Sequence, residues 1–260
     1  MSGSAEEIVF DNVSKVFPGT GGAYAVRNLS FTVARGELVA ILGKTGCGKS
    51  TTFNILAGLI QPTEGRVLVK GHDPFRNFDW FRGKIGIVFQ NDRLMPWRTA
   101  IDNVALGLEL NRVPRTERLE IAARWLERLG LGAHAEDYVH ALSGGMRQRV
   151  SMARAFAIKP DILLCDEPFS ALDEVTGNSL RAEFLELVRE TEATGIFITH
   201  SIGEAIQLGR RILVFHRPAR IAYEATFDGM TSDAEREHVR ANILRALSGT
   251  ATVSKEEARP

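Results

Sequence analysis

A glycine-rich run that ends in a lysine and a serine is the segment of this sequence best suited to chemistry. Residues Gly43 to Ser50 match the pattern G-x-x-x-x-G-K-[ST], between a short apolar run, 38–42, and a helical segment, 50–57. Glycines let successive backbone N–H groups turn toward one point, and the N-terminus of a helix adds partial positive charge. The run therefore predicts a cradle for the phosphates of a nucleotide.

Each residue of the cradle has an expected role. Lys49 supplies a compact cation for the β- and γ-phosphates, Ser50 offers its hydroxyl to Mg²⁺, and Thr51 reaches an α-phosphate oxygen. The other residues expected to contact the nucleotide are Gly43, Lys44, Thr45, Gly46, Cys47 and Gly48. A glycine-rich turn that matches the pattern by chance is the alternative, which the flanking strand and helix disfavour.

Two carboxylates follow a buried apolar run. Residues 162–165 predict a parallel strand, so Asp166 and Glu167 emerge at its carboxyl end, where open α/β sheets bind ligands. We expect Asp166 to hold Mg²⁺ through water. Alternation along the strand turns Glu167 to another side, where it can orient and deprotonate an attacking water. A strand that only enters a solvated turn is the alternative.

Two further polar residues end predicted strands. Gln90 follows the run 85–89, and His200 follows 196–199, so both are expected at the same sheet edge as Asp166. In that position Gln90 senses Mg²⁺ and the attacking water, while His200 contacts the γ-phosphate or holds the water. Taken singly, each also fits a polar residue that merely ends a strand.

A second phosphate-ready helix end begins at Ser143. Gly144 and Gly145 follow it and open a helix whose apolar positions have helical spacing. Two glycines cost helix stability, so something is expected to approach this backbone closely, and a phosphate suits exposed N–H groups at a positive helix end. A Ser-Gly-Gly loop that caps an ordinary helix is the alternative.

The framework expected to position these residues is α/β. It comprises a P-loop (RecA-like) core with a mainly parallel sheet, an N-terminal antiparallel β region and an inserted α-helical subdomain. We assign 8–90 and 157–225 to the core, 91–156 to the helical subdomain, and 226–260 to a C-terminal helix and tail of one 1–260 domain. Ser201 with Glu204, and Ser232 with Glu235, predict capping boxes.

Composition narrows the function classes. The 32 basic and 32 acidic residues balance, which leaves no overall field for a nucleic-acid backbone, so no nucleic-acid partner is expected. No apolar run approaches the ~20 residues that cross a bilayer, and 1–7 is unlike a signal peptide. Cys47 and Cys165 are too few for a disulfide framework and are expected to be reduced packing residues. These features predict a cytosolic protein.

In order and spacing, the motifs resemble those of ATP-binding-cassette (ABC) ATPases over about residues 8–225. The motifs are the cradle, Gln90, 142–145 (LSGG), 166–167 (DE), 170–173 (SALD) and His200. The resemblance implies ATP hydrolysis by a head-to-tail dimer, in which Ser143 and Gly145 of one chain grip the γ-phosphate bound to Lys49 of the other. It places Asp173 at the dimer seam and an aromatic residue on adenine. Phe17 is the first choice for that residue and Tyr24 the alternative.

Segments 94–99 (LMPWRT) and 166–176 (DEPFSALDEVT) resemble the nitrate, sulfonate and taurine importer branch. That resemblance implies a permease partner that docks near Met95 to Trp97, a solute-binding protein in the same system, and a peripheral location on the cytoplasmic face of the inner membrane. Core packing of Trp97 is the alternative. The rival functions are a DNA-repair or ribosome-associated ATPase, or an importer ATPase for another small solute such as a vitamin precursor.

Overall fold

The protein is described by a computed structural model that covers residues 6–170, 172–227, 232–249 and 254–257. Ala171 of the 170–173 motif, and 228–231, 250–253 and 258–260 of the predicted C-terminal helix and tail, lie outside the described residues. The chain forms two compact units, Met1–Trp80 with Thr194–Pro260, and Phe81–Ala193. We call them the first and second unit.

The described elements alternate as an α/β protein requires. The strands are β1 Glu6–Val16, β2 Tyr24–Ala34, β3 Leu38–Gly43, β4 Glu64–Val69, β5 Ile85–Val88, β6 Ile162–Asp166, β7 Thr194–Thr199, β8 Arg211–His216, β9 Arg220–Thr226 and β10 Ser254–Glu257. The α-helices are α1 Lys49–Leu56, α2 Ala100–Leu110, α3 Arg115–Arg128, α4 Gly144–Ala157, α5 Glu174–Thr191, α6 Ile202–Leu208 and α7 Asp233–Ser248. The predicted fold class is confirmed.

An antiparallel sheet of the first unit has the strand order β2-β1-β4. β1 and β2 form a hairpin that closes at the pair Val16 and Tyr24, so the stretch between them is its connection. Phe10 of β1 stacks on its cross-strand partner Phe31, with ring centroids 4.5 Å apart. Such aromatic pairs stabilise neighbouring strands beyond the area they bury.

The parallel strands of the first unit position the cradle. β3 lies between β7 and β8 and runs parallel to both, and all six of its residues are buried. A strand covered on both faces must be apolar throughout, which explains the unbroken run that precedes Gly43. β9 returns antiparallel to β8. The sequence pattern did not predict β9, because its residues alternate too weakly to stand out.

A buried ion cluster joins four strands or strand ends in the first unit. Arg211 Nε lies 2.8 Å from Glu37 Oε1, and its Nη1 lies 3.2 Å from Glu224 Oε1. The same guanidinium donates to the Thr32 carbonyl. One arginine thus neutralises two carboxylates that are both mostly buried, which makes it an important residue for stability.

The second unit combines two parallel strands with helices. β5 pairs with β6, and Val88 lies opposite Cys165. α2, α3 and α4 pack on one another, and Phe156 of α4 lies between Trp125 and Phe184, at centroid distances of 5.8 and 6.1 Å. This aromatic core fixes α4 and α5, whose N-terminal ends carry the predicted site residues.

The two predicted capping boxes have different outcomes. At α7, Ser232 and Glu235 form both reciprocal bonds, as predicted. At α6, Ser201 Oγ accepts from Glu204 N, but the Ser201 N–H donates to Thr199 Oγ1 at 3.0 Å. The Glu204 carboxylate accepts from the Thr199 hydroxyl at 2.5 Å. A hydroxyl at the end of β7 has therefore replaced the expected carboxylate.

Candidate functional site

The cradle lies between β3 and α1 and is shaped by left-handed glycines. Gly48, the N-cap of α1, has φ 110°, and a Cβ there would lie 2.4 Å from the Ala25 carbonyl oxygen. Gly46 has φ 77°. Only glycine adopts such angles cheaply and tolerates that approach, so the loop can present its backbone N–H groups. Among the described residues no side chain caps α1, which leaves this helix end suited to an anion.

Lys49 is held in the cradle by backbone oxygens. Its side chain is buried, and Nζ donates to the Gly43 carbonyl at 2.6 Å and to the Lys44 carbonyl at 3.2 Å. These bonds satisfy a buried cation that would otherwise be costly. They also hold the ammonium group in the loop, so little side-chain entropy would be lost on binding an anion.

The two cysteines are packing residues, as the sequence indicated. Cys47 is buried within the cradle, and burial raises the pKa of its thiol although nearby Lys49 acts in the opposite direction. Cys165 is fully buried in β6, where burial and then Asp166 raise its pKa well above the usual range. Both thiols therefore stay protonated at neutral pH and are poor nucleophiles.

His200 lies beside the start of the cradle. It directly follows β7, and Thr199, the last residue of β7, pairs with Leu42 of β3, so the residues after each strand are neighbours. The His200 side chain is exposed. Thr199, Ser201 and Glu204 fix the turn through the hydrogen bonds given above. The structure thus brings together two of the predicted sites within the first unit.

Gln90, Asp166 and Glu167 form the corresponding group in the second unit. Because Val88 pairs with Cys165, Phe89 and Gln90 continue beside Asp166 and Glu167 at the carboxyl ends of β5 and β6. Glu167 has φ 47°, an uncommon left-handed conformation for a residue with a side chain. Backbone strain of this kind concentrates at functional sites. That this group and His200 share one edge with the cradle stays a prediction.

The turn at 143–145 opens α4 with its glycines in two different environments. Ser143 is the N-cap, and its Oγ accepts from Met146 N at 3.3 Å. A Cβ on Gly145 would lie 3.1 Å from Thr176 Cγ2, so close packing explains that glycine. A Cβ on Gly144 would meet its nearest atom, Arg147 Nη2, at 3.9 Å. No contact in the described structure demands glycine at 144, which leaves room for a group from outside the chain.

Asp173 lies next to this turn but already has a structural role. It is the exposed N-cap of α5, and its Oδ1 accepts from Thr176 N at 3.0 Å. Because Thr176 also faces Gly145, the N-terminal ends of α4 and α5 are neighbours in the second unit. The structure thus brings Asp173 and Gly145 together.

The two candidates for adenine stacking remain equivalent. Phe17 and Tyr24 flank the hairpin connection, and they are 36% and 37% exposed. Each also has a cation near its ring, Lys15 at 5.3 Å from the Phe17 centroid and Arg27 at 5.2 Å from that of Tyr24. Both rings are available to a nucleobase, and neither is preferred on these contacts.

Trp97 is exposed, which makes the core-packing alternative wrong. Its exposed fraction is 71%, whereas Leu94 in the same segment is buried and Met95 is half-buried. Sequence reasoning missed the residue that shapes this segment, Asn103. Its buried side chain accepts from Met95 N at 2.7 Å and donates to the carbonyl oxygens of Met95, Arg98 and Thr99. The sequence signal that could have revealed Asn103 is a polar residue among the apolar residues of one face of α2.

The donor set for a metal is sparse. The described residues contain no group of three or more His, Cys, Asp or Glu side chains that could hold an ion. Mg²⁺ commonly takes one or two protein ligands and completes its shell with water and substrate phosphates. Ser50 and Asp166 each carry an oxygen donor of the kind that Mg²⁺ binds, and Gln90 offers an amide oxygen. None of the helices in the described ranges combines the length and hydropathy that crossing a bilayer requires.

Comparison with known proteins decides the family. The family model described as "ABC transporter" matches residues 26–170. The chain belongs to the ABC transporter family. This ABC cassette is 43% identical over 231 residues to the taurine import ATP-binding protein TauB of Pseudomonas aeruginosa, covering 88% of this chain and 86% of that one. It is 38% identical over 216 residues to the nitrate import ATP-binding protein NrtC of Synechococcus elongatus, covering 80% of this chain and 31% of that one.

Solved structures agree with this assignment. The dimeric structure of MJ0796, titled a bacterial ABC transporter cassette, matches with a TM-score of 0.77 and 35% identity, covering 86% of this chain and all of that one. A dimeric post-hydrolysis state of the same cassette, bound to ADP and Pi, matches with a TM-score of 0.76 and 34% identity. The predictions of an ABC ATPase, of ATP hydrolysis, and of a resemblance to nitrate and taurine import proteins are confirmed.

Proposed function

We propose that this ABC ATPase powers an importer by closing as a head-to-tail dimer around two ATP molecules. Each γ-phosphate lies between the Lys49 cradle of one chain and the Ser143 turn of the other. The observation that carries this proposal is the exposed, open Gly144 backbone at the start of α4, a second phosphate-ready helix end in a chain that already has a complete cradle. Ser143 can still donate its hydroxyl proton while its oxygen caps the helix.

The hydrolytic roles follow from the chemistry of each side chain. Glu167 orients the attacking water and accepts its proton, and His200 and Gln90 hold the water and the γ-phosphate in line. Lys49 neutralises charge on the β- and γ-phosphates. Ser50, Asp166 and Gln90 would hold Mg²⁺, which supplies charge neutralisation at the phosphate oxygens. Loss of the γ-phosphate removes the bridge between the chains, so the dimer reopens.

The dimer is tested with Glu167→Gln, which removes the base but keeps the size of the side chain. We expect turnover to fall by about 10² to 10⁴ and the variant to become dimeric with ATP and Mg²⁺ in sedimentation runs over a range of protein concentrations. Adding Lys49→Ala should abolish the dimer. Adding Ser143→Ala should weaken it, whereas Ser232→Ala, which also removes an N-cap serine, should not. A Glu167→Gln protein that stays monomeric at saturating ATP contradicts the proposal.

The transport role is proposed from the relatives and from Trp97. Relatives named for taurine and nitrate import suggest uptake of a small anionic solute of that type. The exposed Trp97 beside half-buried Met95 suits a helix of a membrane permease, so the protein would lie at the cytoplasmic face of the cell membrane and work with a solute-binding protein. Co-purification should recover a permease from wild type and lose it from Trp97→Ala, with Leu110→Ala, another exposed apolar residue of the second unit, as the control.

A further inference from the structure

The helix that begins at the Ser143 turn is hydrogen-bonded to the segment that contains Gln90. Three side chains of α4 make these contacts. They are Arg147 Nε to Asp92 Oδ2 at 3.0 Å, Gln148 Nε2 to the Phe89 carbonyl at 3.5 Å, and Arg154 to the Asp92 and Arg93 carbonyls at 2.6 and 2.8 Å. The contacts lie on both sides of Gln90 in sequence, so the segment 89–93 and α4 are linked along two helical turns.

Arg147 makes a second contact that the others lack. Its Nη1 donates to the Leu142 carbonyl at 2.8 Å, directly before Ser143. One guanidinium therefore binds both the turn that opens α4 and a carboxylate two residues after Gln90. The planar, five-donor group of arginine suits such a bridge, and a lysine cannot reproduce it.

Arg154 holds the backbone of residues 92–93 against α4. Its side chain is half-buried, and burial lowers its pKa while Asp92 opposes that shift. A poorly solvated cation depends on the two carbonyls that accept its hydrogen bonds, so separating them is costly. The backbone of 92–93 therefore follows α4 when either moves.

We propose that Arg147 is a positioning residue that links the segment of Gln90 to the Ser143 turn through Asp92. The inference rests on the proposed function. When Gln90 engages the nucleotide, Asp92 pulls on Arg147, which sets the orientation of Leu142 and hence of the Ser143 and Gly144 backbone. The nucleotide state of one chain thereby determines how well its Ser143 turn receives the γ-phosphate of the partner.

The chain offers a matched control on the same helix. Arg149 makes the same kinds of contact as Arg147, to the Glu183 carboxylate at 2.7 Å and to the Leu129 carbonyl at 3.1 Å, but neither partner adjoins Gln90 or Ser143. Both arginines are half-buried. Replacing either one by alanine removes one ion pair and one carbonyl contact. The two variants therefore differ only in which residues lose their contact with α4.

The experiment measures ATP-dependent dimerisation in the Glu167→Gln background by analytical ultracentrifugation. Arg147→Ala and Asp92→Ala should each raise the dimer dissociation constant by at least about tenfold, and Arg147→Lys should have an intermediate effect. Affinity of the monomer for a fluorescent ATP analogue should stay within about twofold of the parent, because the cradle is untouched. Arg149→Ala should lower the melting temperature as Arg147→Ala does and leave the dimer constant unchanged.

Two results overturn the linkage alone. One is an Arg147→Ala protein that dimerises like the parent, and the other is an equal loss of dimer in Arg147→Ala and Arg149→Ala, which would mean that α4 stability explains the effect. If the Glu167→Gln parent fails to dimerise at saturating ATP, the proposed function is refuted and the linkage is refuted with it. The three outcomes are distinguishable within one set of samples.

Discussion

Asn103→Ala removes a buried amide that holds the segment of Trp97, and the cost can be worked out from its partners. Four hydrogen bonds are lost. Two of the partners keep another donor, because the Met95 carbonyl also accepts from Arg98 N and the Thr99 carbonyl from Asn103 N. Met95 N–H and the Arg98 carbonyl are the groups whose described partner is Asn103 alone. At about 1 to 1.5 kcal/mol for each, the loss is about 2 to 3 kcal/mol.

The assay is thermal unfolding combined with fluorescence of a single tryptophan. In a Trp80→Phe, Trp125→Phe background, Trp97 alone reports on the segment. For a protein of this size, about 2 to 3 kcal/mol corresponds to a melting temperature lowered by roughly 4 to 12 °C. We also expect lower Trp97 fluorescence anisotropy in the native state, because the backbone that carries the ring is no longer fixed.

Asn103→Asp and Asn91→Ala complete the design. The aspartate keeps the acceptor for Met95 N but turns a carboxylate oxygen toward three carbonyl oxygens, so it should destabilise at least as much as alanine. Asn91 is exposed in the same segment and its replacement should change the melting temperature by less than about 2 °C. Asn103→Ala with wild-type stability and unchanged Trp97 anisotropy would refute the assigned role.

Three further predictions concern other groups. Glu167→Gly and Glu167→Ala should both lose hydrolysis. The glycine variant should be more stable than the alanine variant by about 1 kcal/mol in thermal unfolding, because residue 167 has φ 47°, which glycine adopts without strain. Equal stability of the two variants would contradict this backbone strain. Arg211→Met should lower the free energy of unfolding by about 3 to 5 kcal/mol in urea titrations, because the mostly buried carboxylates of Glu37 and Glu224 lose their cation. A loss below about 1 kcal/mol would contradict that account. Because burial raises the thiol pKa values of Cys47 and Cys165, native protein should react slowly with a thiol reagent at pH 8 and faster as the pH rises. Unfolded protein should show two reactive thiols at once. Rapid labelling of native protein at pH 8 would contradict their burial.

Local sequence patterns predicted the geometry of the cradle because that geometry depends on residues close together in the chain. The cradle needs glycines with positive φ, a lysine one turn away and a helix end, all within eight residues, and each is visible in the sequence. The order of strands ending in Gln90, Asp166 and His200 also followed from apolar runs. Parallel strands place the residues at their carboxyl ends next to one another, so pairing alone explains why residues that follow paired strands are neighbours.

The residues that the sequence did not reveal act through distant partners. Arg147 and Arg154 bind a segment more than fifty positions earlier, and on a helix wheel they look like ordinary solvated arginines. The capping box at Ser201 failed for a local reason, since the hydroxyl of nearby Thr199 binds both the Ser201 N–H and the Glu204 carboxylate. Asn103 was detectable in principle, because it shares a helix face with the buried residues Ala100 and Val104.

The two phosphate-ready helix ends are built for different affinities, and this implies an order of events. At α1, Lys49 is buried and its ammonium group is already held by the Gly43 and Lys44 carbonyls, so a triphosphate would gain a full positive charge with little ordering cost. At α4, the nearest cation is Arg147, and its charge is already paired with Asp92 and the Leu142 carbonyl. The Ser143 turn therefore offers only backbone N–H groups and a hydroxyl, too weak to collect free nucleotide. In the proposed dimer it should bind a γ-phosphate only when the cradle of the partner already holds it, so we expect ATP binding to precede closure.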